Sequence, residues 1–165
     1  MQPTIGRAKR EMLRLAMEIK GPSGAGKTVS GIILAYGMMK SKYPDLSDYD
    51  LWGKIGVIDT EHRRSLVYIG MQKGPNKIGE FIHGDLQAPY SVDRYKNMAL
   101  EMKATGVEVI VVDSLSHAWA GNGGILDFNE SLGNNKFGNW NETNKKAYDP
   151  LVSFAIGDTT GVHMI

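Results

Sequence analysis

Gly21-Pro22-Ser23-Gly24-Ala25-Gly26-Lys27-Thr28 satisfies every position of the pattern G-x-x-x-x-G-K-[ST], a loop suited to holding phosphate. Glycine lets the backbone wrap closely around an anion, the loop amides point inward, and the helix that follows presents the positive end of its dipole. Lys27 is then expected to reach the β and γ phosphates, and Thr28 to hold Mg²⁺ through its hydroxyl. With Val29 at the opening of the helix, residues 21–29 form the expected nucleotide-binding set. ATP or ADP with Mg²⁺ is the expected ligand.

Two further segments end in carboxylates. Val107-Glu108-Val109-Ile110-Val111-Val112-Asp113 is a near-continuous β-branched run, the pattern of a strand buried on both faces whose end opens on a ligand crevice. Asp113 would complete the metal clamp begun by Thr28, through water in the Mg²⁺ shell or directly. Capping the turn that follows is its structural alternative. Ile55-Gly56-Val57-Ile58-Asp59-Thr60-Glu61 is a second strand running out into acids. Hydrolysis needs a group beside the attacking water, and Glu61 at a neighbouring strand tip is the candidate, with Lys27 as its catalytic partner. Asp59 lies closer to the strand and serves either the site or the backbone; a solvated loop acid is the plainer reading of Glu61.

The elements that must position these groups follow from hydrophobic period. Leu15, Met17 and Ile19 alternate with Ala16, Glu18 and Lys20, while Val29, Ile32, Ile33 and Tyr36 recur at helical spacing. Strands are expected at residues 15–19, 55–59, 81–83, 107–112 and 162–165, alternating with helices, which argues for an α/β fold with a mostly parallel sheet. Residues 40–52 read as an excursion, Ser91 as the N-cap of a helix whose Tyr95, Met98 and Met102 share a core face, and residues 147–156 as a last helix. The Gly- and Asn-rich stretch 121–146 reads as a long loop.

At 165 residues with no cysteine, the chain suits one domain, 1–165, with a core that needs no disulfide and no thiol chemistry. No apolar run reaches the length of a membrane span, and the first twenty residues are too charged for a signal peptide, so a cytoplasmic protein with no membrane partner is expected. The net charge of +1 gives no global attraction to polyanions. Arg7, Lys9 and Arg10, with Arg14 just beyond, make the arm 1–13 locally basic, a segment whose simplest reading is a solvated terminus. His62, His83, His117 and His163 lack paired ligand spacing, and Ser114, Ser116 and His117 make no persuasive nucleophilic set from local sequence alone.

The strand ends carry a resemblance. Arg14 through Pro22, Ile58-Asp59-Thr60-Glu61-His62 and Val107 through Ser114 together resemble the ATPase core of RecA-type recombinases, in that family's order. Asp59-Thr60-Glu61-His62-Arg63, Pro89-Tyr90-Ser91 and Asp113-Ser114-Leu115-Ser116-His117-Ala118-Trp119, followed by Gly123-Gly124, are similar to the small RecA-like, AAA-family ATPases of bacteriophages, which are associated with recombination and single-strand annealing. The resemblance implies a three-layer RecA-like P-loop core in which Lys27 and Thr28 bind phosphate and Mg²⁺, Asp113 the metal shell, and Glu61 activates water. It places Tyr68 near the adenine, where an aromatic face can stack, a core tyrosine being the alternative. It also implies a continuation beyond residues 162–165, so the chain reads as C-terminally truncated, and a homo-oligomer in the full-length protein.

RecA-like proteins hold single-stranded DNA on loops at one side of the sheet, which directs attention to residues 121–146. Lys136, Phe137 and Trp140 combine charge with stacking surface there, against the alternative of a surface loop with aromatics tucked on the core. Arg63 and Arg64 reach a neighbour's phosphate in an assembly or are solvated. Competing functions are a nucleotide or small-molecule kinase, disfavoured by the lack of an arginine-rich lid and by a water-activating Glu61, and an ATP-gated assembly module with little hydrolysis.

Overall fold

The computed structural model describes residues 14–135 and 137–165; the basic arm 1–13 and Lys136 lie outside them. In chain order the elements are α1 (Lys27–Lys42), α2 (Asp48–Trp52), β1 (Ile55–Asp59), a 3₁₀ turn (Arg64–Tyr68), the hairpin strands β2 (Gln72–Lys73) and β3 (Asn76–Lys77), and β4 (Ile82–Asp85). There follow α3 (Val92–Ala104), β5 (Val109–Asp113), α4 (Ser116–Ala120), α5 (Ile125–Ser131), α6 (Trp140–Thr143), a π-helical turn (Asn144–Tyr148), α7 (Asp149–Ala155) and β6 (His163–Met164).

Four strands form one parallel sheet in the order β4-β1-β5-β6, so the molecule is α/β as its sequence pattern predicts. Residues of β1 and most of β5 are buried because both sheet faces are covered. On one face Ile32, Ala35, Tyr36 and Met39 of α1, at helical spacing, pack on Ile55, Val57, Val109 and Val111. On the other, Tyr95, Ala99 and Met102 of α3 and Phe154 of α7 pack on Ile58 and Ile110. Among the described residues no helix is long and apolar enough to cross a membrane.

Several expected boundaries move. Residues 15–19 do not form a strand: the alternation is present, but β6 is only two residues long and pairs with this segment through one parallel bridge, Ala16 to Met164. The excursion at 40–52 is mostly helical. Helix α1 runs to Lys42, and Ser47 caps α2 by accepting from the Asp50 amide at 3.1 Å. Tyr36 stacks on Trp52 with centroids 4.7 Å apart, which anchors α2 to α1. Ser91 does occupy the N-cap of α3, but its side chain makes no capping bond. The last helix, expected at 147–156, is the shorter α7.

The stretch 121–146 is not one long loop but carries α5, α6 and the start of the π-helical turn. Its asparagines act as internal brackets. Buried Asn129 donates to Thr143 Oγ1 at 2.9 Å, and the Asn139 amide donates to the carbonyls of Asn129 at 2.9 Å and Gly133 at 3.0 Å. Side-chain amides that replace missing main-chain bonds let short helices pack where sequence polarity suggests solvent.

At the opposite end of the sheet, Glu108 accepts from Lys42 at 2.5 Å, Tyr43 at 2.7 Å and Lys54 at 2.8 Å. Burial raises its carboxyl, but these three donors outweigh it and hold the group at about 2 instead of the usual 4.5. A depressed folded-state value stabilises the fold at neutral pH, fully above the unfolded value near 4.5, and the contribution disappears as pH falls through about 2. Denaturant titrations of the parent and Glu108→Gln are expected to differ by a constant amount above about pH 5 and to converge below it. A gap independent of pH would contradict this assignment.

Candidate functional site

The loop between the Ala16 bridge and α1 is a tight turn. The Ala25 amide donates to the Pro22 carbonyl at 3.2 Å, and Gly24 and Gly26 adopt φ of +78° and +80°, a left-handed backbone that residues with a Cβ adopt at a cost. Gly26 is the N-cap of α1, with no side chain capping the helix and no acid in its first turn. The first amides of a 16-residue helix therefore stay available at the positive end of its dipole. Lys27 folds back over the turn, its ammonium donating to the carbonyls of Gly21 at 3.0 Å and Pro22 at 2.9 Å.

Parallel register brings the strand tips together. Asp59 is the Cα partner of both Asp85 and Asp113, which sets three aspartates side by side across the C-terminal edge of β4, β1 and β5. Each has a different task. Thr28 donates its hydroxyl to Asp113 Oδ2 at 2.6 Å, so the loop and the β5 tip, 85 residues apart, meet. Asp85 lies 3.9 Å from the Arg63 guanidinium, an exposed and weak pairing. Arg63 is exposed, which both of its alternatives require.

Asp59 is fully buried and serves the backbone. It accepts from the Glu61 amide at 2.8 Å, the Ser65 amide at 2.8 Å and the Ser65 hydroxyl at 2.6 Å, with His83 Nε2 3.6 Å away. Burial alone would raise this carboxyl, but the Ser65 hydroxyl and amide, the Glu61 amide and His83 outweigh it and hold it below the usual range. The restraint has a use: His62 and Arg63, just after Glu61, sit at φ of +57° and +64°. Consecutive left-handed residues with side chains cost on the order of 1–2 kcal/mol each, and persist where their surroundings over-determine them. Half-buried Glu61 is thereby placed two residues beyond the β1 tip, on a loop pinned by its own strand.

Thr60 joins the two tips. Its amide donates to the Asp113 carbonyl at 2.7 Å, its hydroxyl oxygen accepts from the Ser114 amide at 2.9 Å, and that oxygen lies 2.7 Å from His117 Nδ1. The Asp113–Ser114 peptide is cis. His117, on α4, stacks on Tyr90 with centroids 4.7 Å apart, and the Tyr95 hydroxyl donates to the Ser114 carbonyl at 3.1 Å. Sequence reasoning missed Thr60, Ser65 and His117 as organisers, although all lie within a few residues of the acids it selected.

The structure thus joins the phosphate loop to Asp113 through Thr28, and the base of the Glu61 loop to the same strand tip through Thr60, with Val29 half-buried on the first turn of α1. Tyr68 ends the 3₁₀ turn and packs, half-buried, against the α1-side core. Trp140 stacks on Trp119 of α4 with centroids 5.9 Å apart, whereas Phe137 is 93% exposed. Comparison with protein-family models, curated proteins and solved structures finds no match for the chain.

Proposed function

We propose that the chain is a Mg²⁺-dependent, RecA-like P-loop ATPase, its helices on both sheet faces forming the three-layer core of that class, acting in phage DNA recombination or single-strand annealing. The observation that carries this reading is the 2.6 Å bond from Thr28 to Asp113, which joins a complete phosphate-loop sequence to an acidic strand tip. The donor set suits MgATP. Uncapped helix amides and Lys27 face anionic oxygens, and Lys27's present partners are neutral carbonyls that phosphate would replace. A hydroxyl with one carboxylate is the usual protein share of a Mg²⁺ site whose other ligands are water and phosphate. When bound, the ion neutralises charge developing on the transferred phosphate.

In this reading Thr28 and Asp113 hold the metal shell, Lys27 steadies the β and γ phosphates, and Glu61 takes a proton from, or aligns, the attacking water. Asp59, through the Glu61 amide, fixes where that carboxylate starts. Tyr68 offers a ring for the base, and homo-oligomerisation would place Arg63 or Arg64 against a neighbouring phosphate.

The test measures phosphate release from MgATP with and without single-stranded DNA, together with phosphate transfer to nucleosides and nucleotides. Release accelerated by DNA supports the proposal. Phosphorylation of an acceptor would make the chain a kinase, and binding without turnover an ATP-gated module. For the DNA contact, exposed Phe137 and half-buried Trp140 supply stacking area. Trp140→Ala is expected to weaken single-strand binding by about 1 to 3 kcal/mol in a fluorescence-anisotropy titration. An unchanged affinity would assign Trp140 to packing against Trp119 alone.

A further inference from the structure

The strand ends opposite the phosphate loop enclose a second feature that the proposed ATPase leaves unused. A cavity of about 140 Å³ is lined by Arg14, Lys42, Lys103, Glu108, Gly161 and His163 among others. Lys42 is the last residue of α1 and Lys27 the first, and a 16-residue helix spans about 24 Å at 1.5 Å per residue. This is a separate place on the molecule.

Its charge is unbalanced. Glu108 is the one acid in the lining, and its oxygens are already taken by Lys42, Lys54 and Tyr43. Arg14 and Lys103 have no acid of their own among the described residues. Lys103 donates to the Thr160 carbonyl at 2.8 Å, which leaves two of its three protons free, and Arg14 makes no hydrogen bond to any described residue, leaving its five. The two converge: a Cβ placed on Gly161 would lie 3.1 Å from Lys103 Nζ and 3.9 Å from Arg14 Nε and Nη2. Glycine leaves that point open. His163 Nδ1 accepts from the Leu15 amide at 2.8 Å, tying the segment that carries Arg14 to β6. Burial first, then the charges of Lys42 and Arg14, hold the His163 ring below its usual value against the opposing Glu108.

We propose that this cavity binds one phosphate group, gripped by Arg14 and Lys103 over Gly161. The geometry sets the ligand class: two cationic groups within 4 Å of one open point over Gly161 suit the clustered oxygens of a single phosphate. A free phosphate and a single phosphodiester of a nucleic-acid backbone share this chemistry.

The test uses the full chain carrying Lys27→Ala, which weakens the phosphate loop, and titrates inorganic phosphate calorimetrically and a single-stranded oligonucleotide by anisotropy. Arg14→Gln removes a side chain with no described partner and leaves the fold's own bonds intact; Lys103→Met and Arg14→Lys accompany it. Phosphate affinity is expected to fall about tenfold or more in Arg14→Gln and Lys103→Met and to recover in large part in Arg14→Lys. If the source is a nucleic-acid backbone, Arg14→Gln also weakens the oligonucleotide and lowers its salt slope by about one. If it is free phosphate, the oligonucleotide is indifferent to the substitution. Unchanged affinity of Arg14→Gln for both probes, or phosphate binding that is lost on introducing Lys27→Ala, overturns the proposal.

Discussion

Lys27→Ala is expected to raise the dissociation constant for MgATP by about a hundredfold or more while leaving the fold intact. Hydrogen bonds from a charged donor contribute about 1.5–3 kcal/mol each, and in the proposed complex the ammonium meets oxygens of two phosphates, so two such contacts are lost together. The unliganded protein loses little. The side chain donates only to the exposed turn carbonyls of Gly21 and Pro22, which water can serve, and alanine is the better helix former at the first position of α1. Calorimetric titration with MgATP, beside thermal unfolding without nucleotide, separates the two effects. Equal affinity in variant and parent would remove Lys27 from the site.

Glu61→Gln is expected to keep MgATP affinity and to slow phosphate release by about 10²- to 10⁴-fold, the range for losing a general base or orienting group. The exchange preserves shape. The Glu61 main-chain amide remains on Asp59, so the left-handed turn through His62 and Arg63 is undisturbed and the change is confined to the carboxylate. Single-turnover release, set against equilibrium binding, reads this directly. A variant that hydrolyses as fast as the parent would leave Glu61 a solvated acid and send the search for the water-orienting group elsewhere along the strand tips.

Much of the scaffold was legible because its signals are local. The β1 strand follows from a short apolar run that is buried on both faces, and the turn before α1 follows from glycines needed for its backbone. The meeting of Thr28 with Asp113 follows from parallel pairing, which puts β5 beside β1 under the start of α1. What was illegible depends on distant partners. An alternating segment at 15–19 becomes a strand only if its neighbour is long enough, and β6 is not. The asparagines of 121–146 look solvated until Asn129 and Asn139 are seen to bond inward. Asp59 and Glu61 are similar acids two residues apart, yet one is sealed in the interior and the other is held on a pinned loop, a division set by Ser65 and His83.

The pairing of Trp119 with Trp140, with Tyr148 edge-on at 6.2 Å, gives the protein its own optical gauge. Two stacked indoles lose their contact, and with it their mutual shielding from solvent, when the elements that carry them part. The third tryptophan, Trp52, is sealed in the interior while Trp119 is 39% exposed, so emission from Trp52 is expected at the shorter wavelength. Because Trp119 is on α4 and Trp140 on α6, release of one helix from the other would register in the fluorescence of this pair while Trp52 stays silent, and global melting would move both.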